Sequence, residues 1–556
     1  MTYQPQPPLP APPWYFNAIF YELYVRAFYD ANGDGQGDLA GVIARLDYIK
    51  ELGVDCIWLL PICDSPLVDD GYDVRDYRKL LPEYGTIDDL KRLVNAAHRR
   101  GLRIIADLVL NHSSDQHEWF VQSRRSRDNP YRDWYVWSDD PNKYKDAGIV
   151  FKDTQTSNWA WDEGSQQYYW HRFYPQQPDL NYDNPAVQQA MLYIAAYWLD
   201  LGVDGFRLDA IPYLYEREGT KCEGLPETHA YLKRLRQFVN QRNPAAVLLG
   251  EANQPPIPSL DYFGNGDELQ MLFNFPQMTA TFFALAIENA APLYRILREI
   301  ENLPPGAQWC TMLRNHDELT FEMVSVAERE FLFNYYAPDP KQRINWGVRR
   351  RLAPLLDNDP RRILLAYSTL FTLPGSPIIY YGDEIGMGDN ISLPDRNGVR
   401  TPMQWDNGLN AGFSTADPAR LYAPVVAAPP YDPTHVNVAA QQAGPDSLYH
   451  RLRQLIAVRK AHPAFGLGRF ELHQTDNPAI LAHSREWQGE RIIALHNLSS
   501  QPQPFVIPTA FAALPATDLL TGVEYAEMRQ ITQLEPYQYL WLNTFASYLR
   551  DARCEG

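Results

Sequence analysis

Short apolar runs alternate with amphipathic stretches along most of this chain. Residues 18–25 alternate closely enough to predict a first strand. Residues 39–52 carry apolar positions at helical spacing, between Asp38 as candidate N-cap and Gly53 as candidate stop. A second strand follows at 56–60. Thr86-Ile87-Asp88-Asp89 reads as a capping box opening a helix that ends at Gly101. Residues 103–110 form a near-continuous apolar run broken by Asp107, the third strand. The alternation then pauses, because 111–177 is polar and aromatic with little helical periodicity. It resumes with a helix over 185–201, a strand over 203–208 and a helix near 226–242. Further strands at 247–250, 271–275, 308–313 and 377–381 bring the candidates to eight.

Eight strands interleaved with helices predict an α/β fold, a closed (β/α)₈ TIM barrel rather than an open doubly wound sheet. The pause after strand three predicts an inserted subdomain. A last helix over 448–461 leads through His462-Pro463 into short apolar runs separated by turn signals, which predict an antiparallel β domain. The expected division is a Pro-rich tail at 1–13, barrel at 14–110, inserted subdomain at 111–178, barrel again at 179–462, and a β-sandwich at 463–556.

Composition narrows the partners. A formal charge of -18 over 556 residues argues against nucleic acid or an anionic membrane, and favours a neutral ligand. The five cysteines are scattered, with neither metal-knuckle nor disulfide-framework spacing. No apolar run is long enough for a bilayer, and the N-terminus lacks the regions of a signal peptide, so a cytoplasmic address is expected.

Candidate chemistry sits at the strand ends. With a period of two, Arg207 and Asp209 point to one side of strand four, which suits either a structural ion pair or a functional one. Glu251 follows strand five and Asp317 follows strand seven. Breaking a glycosidic bond with retention needs a carboxylate nucleophile and a carboxylic acid about 5–5.5 Å apart. A third acid can hold sugar hydroxyls and favour the oxocarbenium-like transition state. Three unrelated strand-end acids are the alternative, made less attractive by their common rim. The loop Asp30-Ala31-Asn32-Gly33-Asp34-Gly35-Gln36-Gly37-Asp38 places oxygen donors Asp30, Asn32, Asp34, Gln36 and Asp38 at alternate positions, as calcium loops do. Gly41 stands where an EF-hand needs glutamate, so an EF-hand is excluded. An acidic turn without an ion is the other reading.

At Asp107-Leu108-Val109-Leu110-Asn111-His112, at 205–210, at Gly250-Glu251-Ala252-Asn253 and at Arg314-Asn315-His316-Asp317-Glu318 the chain resembles the α-amylase superfamily, with the motifs in family order. The resemblance implies Asp209 as nucleophile, Glu251 as acid/base and Asp317 as transition-state stabiliser, with Arg207 orienting Asp209 and lowering its pKa. It implies Asp69 as a hydroxyl ligand paired with Arg400 at a closed pocket end, and Tyr72 as a stacking platform. His112 and His316 become donors to ring hydroxyls, Phe173 and Gln177 walls, and Asn253 and Glu318 holders of a leaving sugar.

The 30–38 loop is similar to a cation loop of the oligo-1,6-glucosidase branch, which implies structural Ca²⁺ or Mg²⁺ there. A second Ca²⁺ site is implied at Asn111, Asp179, Glu216 and the backbone of Tyr213 and Leu214. No organic cofactor is implied. Longer likeness, over 170–173, 212–220, 225–229, 314–323 and 381–389, is to a branch that interconverts maltose and trehalose. Retaining double displacement through a glucosyl-Asp209 intermediate is then implied, with glucose as by-product. An α-glucosidase, an oligo-1,6-glucosidase, a sucrose isomerase or a non-enzymatic scaffold is the alternative. A disaccharide substrate and a homo-oligomer are expected. Some members of the branch carry a fused maltokinase domain, for which this chain is too short; a separate maltokinase is one partner the resemblance allows. Trp119, Trp134, Tyr135, Trp137, Trp159 and Trp161 in the insertion form either a lid or a small core beneath a long loop.

Overall fold

The computed structural model describes residues 12–300 and 303–545; most of the Pro-rich tail and Cys554 lie outside the described residues. Eight parallel strands close into a barrel: β1 Phe20–Leu23, β2 Cys56–Leu59, β3 Arg103–Val109, β4 Gly205–Asp209, β5 Val247–Gly250, β6 Met271–Phe273, β7 Gln308–Met312 and β8 Ser376–Tyr380. Each pairs with its neighbours in chain order, and β8 returns to β1. All eight predicted strands are present, most of them a residue or two shorter. β4 begins at Gly205, two residues later than the alternation predicts. Gly205 sits at φ +148°, where a Cβ would stand 2.2 Å from the Val247 carbonyl oxygen. The missing side chain lets β4 and β5 approach. That approach brings Glu251, the first residue past β5, within reach of the end of β4.

Register does the rest of the positioning. Asp107 on β3 lies directly beside Arg207 on β4, and Val109 beside Asp209. Helical periodicity predicts one helix over 39–52, but there are two, Leu39–Ala44 and Leu46–Leu52. The break falls at Arg45, whose guanidinium lies between the rings of Tyr29 (4.1 Å) and Trp405 (4.2 Å). Two cation–π contacts outweigh one turn of backbone continuity. The capping box at Thr86 and the N-cap at Asp38 both form.

The insertion holds a short helix, Glu118–Ser123, and a three-stranded antiparallel sheet of Trp137–Ser138, Trp159–Asp162 and Gln167–Trp170. Its predicted rings pack mainly on one another and on the barrel. Trp119 meets Trp134 at 4.6 Å, Trp137 stacks on Phe120, and Trp159 meets Trp170 at 4.9 Å. Of the two readings, the small core is the one realised. A second excursion was not predicted. Between β7 and β8, a sheet of Leu319–Thr320, Arg343–Ile344 and Gly347–Val348 carries the helix Val326–Tyr336.

Past the helix Leu448–Ala461 stands a six-stranded antiparallel sheet, with a two-stranded sheet of Gln503–Pro504 and Gln533–Leu534. One face encloses its own core around Ile480, Ile493, Leu495 and Leu542. The other faces the barrel, where Trp541 donates its indole N–H to Ser368 at 2.9 Å. No described helix is long and apolar enough to cross a membrane.

Candidate active site

Strand ends deliver one guanidinium among three acids. Arg207, 1% exposed, donates from Nη1 to Asp107 Oδ1 and Asp209 Oδ1, each at 2.6 Å, and its Nη2 meets Glu251 Oε1 at 2.6 Å. Glu251 is also held by the backbone N–H of Ala210 at 3.1 Å. Ala210 takes a left-handed conformation, φ +51°, which turns the chain just past the nucleophile position. Candidate nucleophile and candidate acid/base thus hang from one cation. The functional reading of the Arg207–Asp209 pair gains from this third partner, which a purely structural pair does not need.

The third acid is held from the opposite side. Asp317 Oδ1 accepts from Arg396 Nη1 at 2.7 Å and Arg400 Nη2 at 2.8 Å, while Oδ2 lies 3.2 Å from His316 Nε2. One expected pairing is different. Asp69 Oδ1 accepts from Arg396 Nη2 at 2.8 Å, whereas Arg400 pairs with Asp70 at 2.6 Å. Arg396 therefore bridges Asp69 and Asp317, and Arg400 braces the wall behind them. The two arginines stand only four residues apart in the stretch after β8, so spacing alone could not separate them.

A pocket of about 1100 Å³, its mouth included, joins these groups. Of the predicted catalytic and sugar-binding residues, Asp69, Tyr72, His112, Phe173, Asp209, Glu251, Asn253, Asp317 and Glu318 line it. Gln177, Arg207, His316 and Arg400 stand behind that lining. Gln177 was expected as a wall, but it is fully enclosed and donates to Asp69 Oδ2 at 3.1 Å. Tyr72 stacks on His316 with 10° between the ring planes, its hydroxyl 2.8 Å from Nε2. Residues the sequence did not single out also line the pocket: Ile149, Val150, Phe151, Arg172, Glu223, Glu322, Asn345 and Trp346.

The insertion and the second excursion meet at the mouth. Asp153 Oδ2 accepts the backbone N–H of Asn345 at 2.7 Å, and Lys152 Nζ lies 3.5 Å from the Trp346 ring centre. Arg329 covers Trp346 at 4.4 Å. Arg396 lies 4.9 Å from the Phe151 ring, and Tyr174 donates to Asp395 at 2.7 Å. The part of the insertion that covers the pocket is thus 148–153, not the predicted aromatic run. Asn253 donates to Glu322 at 2.8 Å, and Asn345 to Glu318 at 3.1 Å.

Burial sets the titration of the site. It pushes Asp209 well above the usual carboxylate range, with Arg207 pulling the other way and Glu251, Asp107 and Asp317 adding to the rise. Arg207 was expected to give a net lowering; enclosure among other acids outweighs it. Burial raises Asp107 and Asp69 to about 6 each, opposed by Arg207 and by Arg396 respectively. It lowers His112 to about 3 and drives His316 well below its ordinary value, so both rings are neutral. Burial would also raise Asp317, but its cationic surroundings hold it well below the ordinary range. With His316 neutral, Arg396 and Arg400 carry most of that effect.

The two candidate cation sites differ. At the second, Asn111 Oδ1, Asp179 Oδ2 and Glu216 Oε1 are all enclosed and without hydrogen-bond partners. Burial pushes Asp179 up to about 8. Enclosed oxygens without partners suit a hard cation, and Asn111 and Glu216 both act on Asp179. Tyr213 and Leu214 lie on the adjoining turn; the Tyr213 side chain lines the pocket. In the 30–38 loop the carboxylates already accept backbone N–H groups, Asp30 from Gly33 and Gly35, Asp34 from Gln36, and Asp38 from Ala31, Asn32 and Gly41. Gln36 Oε1 accepts from Arg26 Nε. Asn32 Oδ1 accepts from Asp34 N. No cluster of three His, Cys, Asp or Glu side chains able to hold a metal occurs among the described residues.

Comparison with known proteins agrees with this geometry. The family described as alpha amylase, catalytic domain, matches residues 22–332 and 349–468, and maltogenic amylase, C-terminal domain, matches 470–541. A trehalose synthase/amylase of Mycobacterium tuberculosis is 53% identical over 95% of this chain and 89% of its own length. A trehalose synthase of Pimelobacter sp. is 49% identical, over 95% and 96%. Among solved structures, the trehalulose synthase of Pseudomonas mesoacidophila superposes with a TM-score of 0.78 at 28% identity, over 96% of this chain and 100% of that one. The segment 333–348 left out of the family match falls within the second excursion.

Proposed function

The chain belongs to the alpha-amylase family and is an intramolecular transglucosylase, an isomerase; from that premise we propose that it interconverts maltose and trehalose through a glucosyl ester on Asp209. Asp209 attacks the anomeric carbon of the non-reducing glucose, while Glu251 gives its proton to the bridging oxygen. Arg207, bonded to both acids, works against the burial that favours a protonated Asp209 and so favours the charged form that attacks. Asp317, kept ionised by Arg396 and Arg400, faces the positive charge that develops on the ring. Asp69, with its partners Arg396 and Gln177, takes hydroxyls of the same sugar.

The freed glucose turns and presents its anomeric hydroxyl. Glu251 removes that proton as the oxygen attacks the glucosyl-Asp209 carbon, and an α,α-1,1 bond replaces the ester. No water is consumed, and water entering first yields two glucose molecules. The observation that carries this reading is the clasped mouth, where 152–153 hold 345–346 over the pocket. Confinement of the leaving glucose is what isomerisation needs and hydrolysis does not.

Asn111, Asp179 and Glu216 would hold a Ca²⁺ ion that ties the insertion to the barrel and takes no part in bond breaking. A similar role for Asp30, Asn32, Asp34, Gln36 and Asp38 would require exchange of their backbone bonds for an ion. The buried free cysteines Cys56, Cys63, Cys222 and Cys310 support a reducing, cytoplasmic address. Incubation with maltose tests the reading. A non-reducing disaccharide as main product is expected, and glucose as main product would turn it to an α-glucosidase.

A further inference from the structure

Glu22 on β1 is wholly enclosed at the centre of the barrel and does not line the pocket. Its Oε1 accepts the backbone N–H of His316 at 3.0 Å and stands 2.6 Å from the ring Nδ1 of the same residue. One oxygen thus grips both the backbone and the side chain of His316. The other, Oε2, is enclosed with no partner. Packing alone does not call for a carboxyl here, since an apolar side chain would fill the space without a bare oxygen.

What Glu22 grips is a junction. His316 Nε2 lies 2.8 Å from the Tyr72 hydroxyl and 3.2 Å from Asp317 Oδ2, both on residues that line the pocket. Its ring covers Tyr72 face to face and meets Trp58 edge-on at 5.7 Å. Trp58 in turn donates to Asp107, the partner of Arg207. A neutral imidazole carries one proton, and the nitrogen that holds it decides what the other presents to the site. A carboxyl at 2.6 Å selects Nδ1, leaving Nε2 to accept from Tyr72.

We propose that Glu22 is a positioning residue for glucosyl transfer: it accepts the ring Nδ1–H and the backbone N–H of His316, and thereby fixes Tyr72 through Nε2 and Asp317 through the backbone beside it. This rests on the transglucosylase reading, but total glycosidic cleavage, counted as trehalose plus glucose, tests it whatever the product ratio. In the full-length protein, Glu22→Gln retains an oxygen that can accept both N–H groups. It is expected to keep kcat/KM within about tenfold of the parent. Glu22→Met removes the acceptor and is expected to lose roughly 10- to 100-fold, as outer partners of site histidines do, with the circular dichroism spectrum unchanged.

On a His316→Asn background the Glu22→Met loss should shrink to less than about threefold, because the two act as one unit. A purely structural role would move thermal stability and leave this coupling at zero. Glu22→Met cleaving maltose at the parent rate, or its loss adding in full on the His316→Asn background, would overturn the proposal. If Glu22→Met does not fold, ¹⁵N-histidine spectra of the parent decide: a protonated Nδ1 on His316 supports it, and a bare Nδ1 refutes it. Absence of trehalose from the parent enzyme would sink the isomerase reading alone.

Discussion

Removing the clasp at the pocket mouth should change the products without changing the bond that breaks. In Lys152→Ala/Asp153→Ala two contacts disappear, the carboxylate on the Asn345 N–H at 2.7 Å and the ammonium over Trp346 at 3.5 Å. Both side chains are exposed, so each contact takes a surface value of about 0.5–1 kcal/mol. Together they hold the mouth by about 1–2 kcal/mol, or roughly 5- to 30-fold in its open-to-closed ratio. If water reaches glucosyl-Asp209 only through the open mouth, the glucose fraction rises by up to that factor. Maltose consumption should not fall, because Arg207 and its three acids are untouched. Initial rates of trehalose and glucose, resolved by chromatography, give the partition directly. An unchanged ratio in a folded double variant would refute the view that this clasp excludes water.

Asp209→Asn should abolish trehalose and glucose formation together, by more than roughly 10⁴-fold; either product persisting at the parent rate would remove Asp209 as nucleophile. Arg396→Met should leave Asp69 without its nearest cation, and Asp69 already keeps its proton up to about 6 through burial. Its proton is then held to higher pH, so KM for maltose should rise more at pH 6 than at pH 8; an equal rise at both would contradict this pairing. Asp179, raised by burial to about 8, stays protonated in the folded cation-free chain while its unfolded counterpart ionises near 4. Stability from this group is full below about pH 4 and lost as pH climbs toward 8. Calcium should reverse that loss by holding the carboxylate ionised, so the gain in Tm over chelator-treated protein should grow from pH 5 to pH 8. A gain that does not vary with pH would remove Asp179 from the site.

The barrel was legible because its signals are local and repeat. Helix stops such as Gly53, caps such as Thr86 and apolar runs such as 103–110 each act within a few residues. The three acids were legible for a related reason, since Asp209 ends β4, Glu251 directly follows β5 and Asp317 lies five residues past β7. Partner choice was not. Whether Asp69 meets Arg396 or Arg400 depends on how the chain winds after β8, through turns near Asn397 and Gly398 with no repeating pattern. Glu22 was hidden by its strand: in Phe20-Tyr21-Glu22-Leu23 a single acid among apolar neighbours carries no sign of which residue, 294 positions away, it will hold.

The same contrast separates breaking the bond from choosing the product. Asp209, Glu251, Asp317 and Arg207 would serve a hydrolase equally well, since both reactions pass through the same ester. What differs is the interval before water arrives, and the residues that set it come from the two excursions. One is the loop 148–153 of the insertion; the other is the turn at Asn345, held at φ +50° so that its N–H points to Asp153. Neither lies on a barrel strand. Specificity between isomerase and hydrolase should therefore move with exposed residues at this seam, at nearly constant catalytic geometry. Exchanging 148–153 for a loop of equal length lacking Lys152 and Asp153 should shift the product ratio as far as the double variant does, with Asp209 and Glu251 still hanging from Arg207.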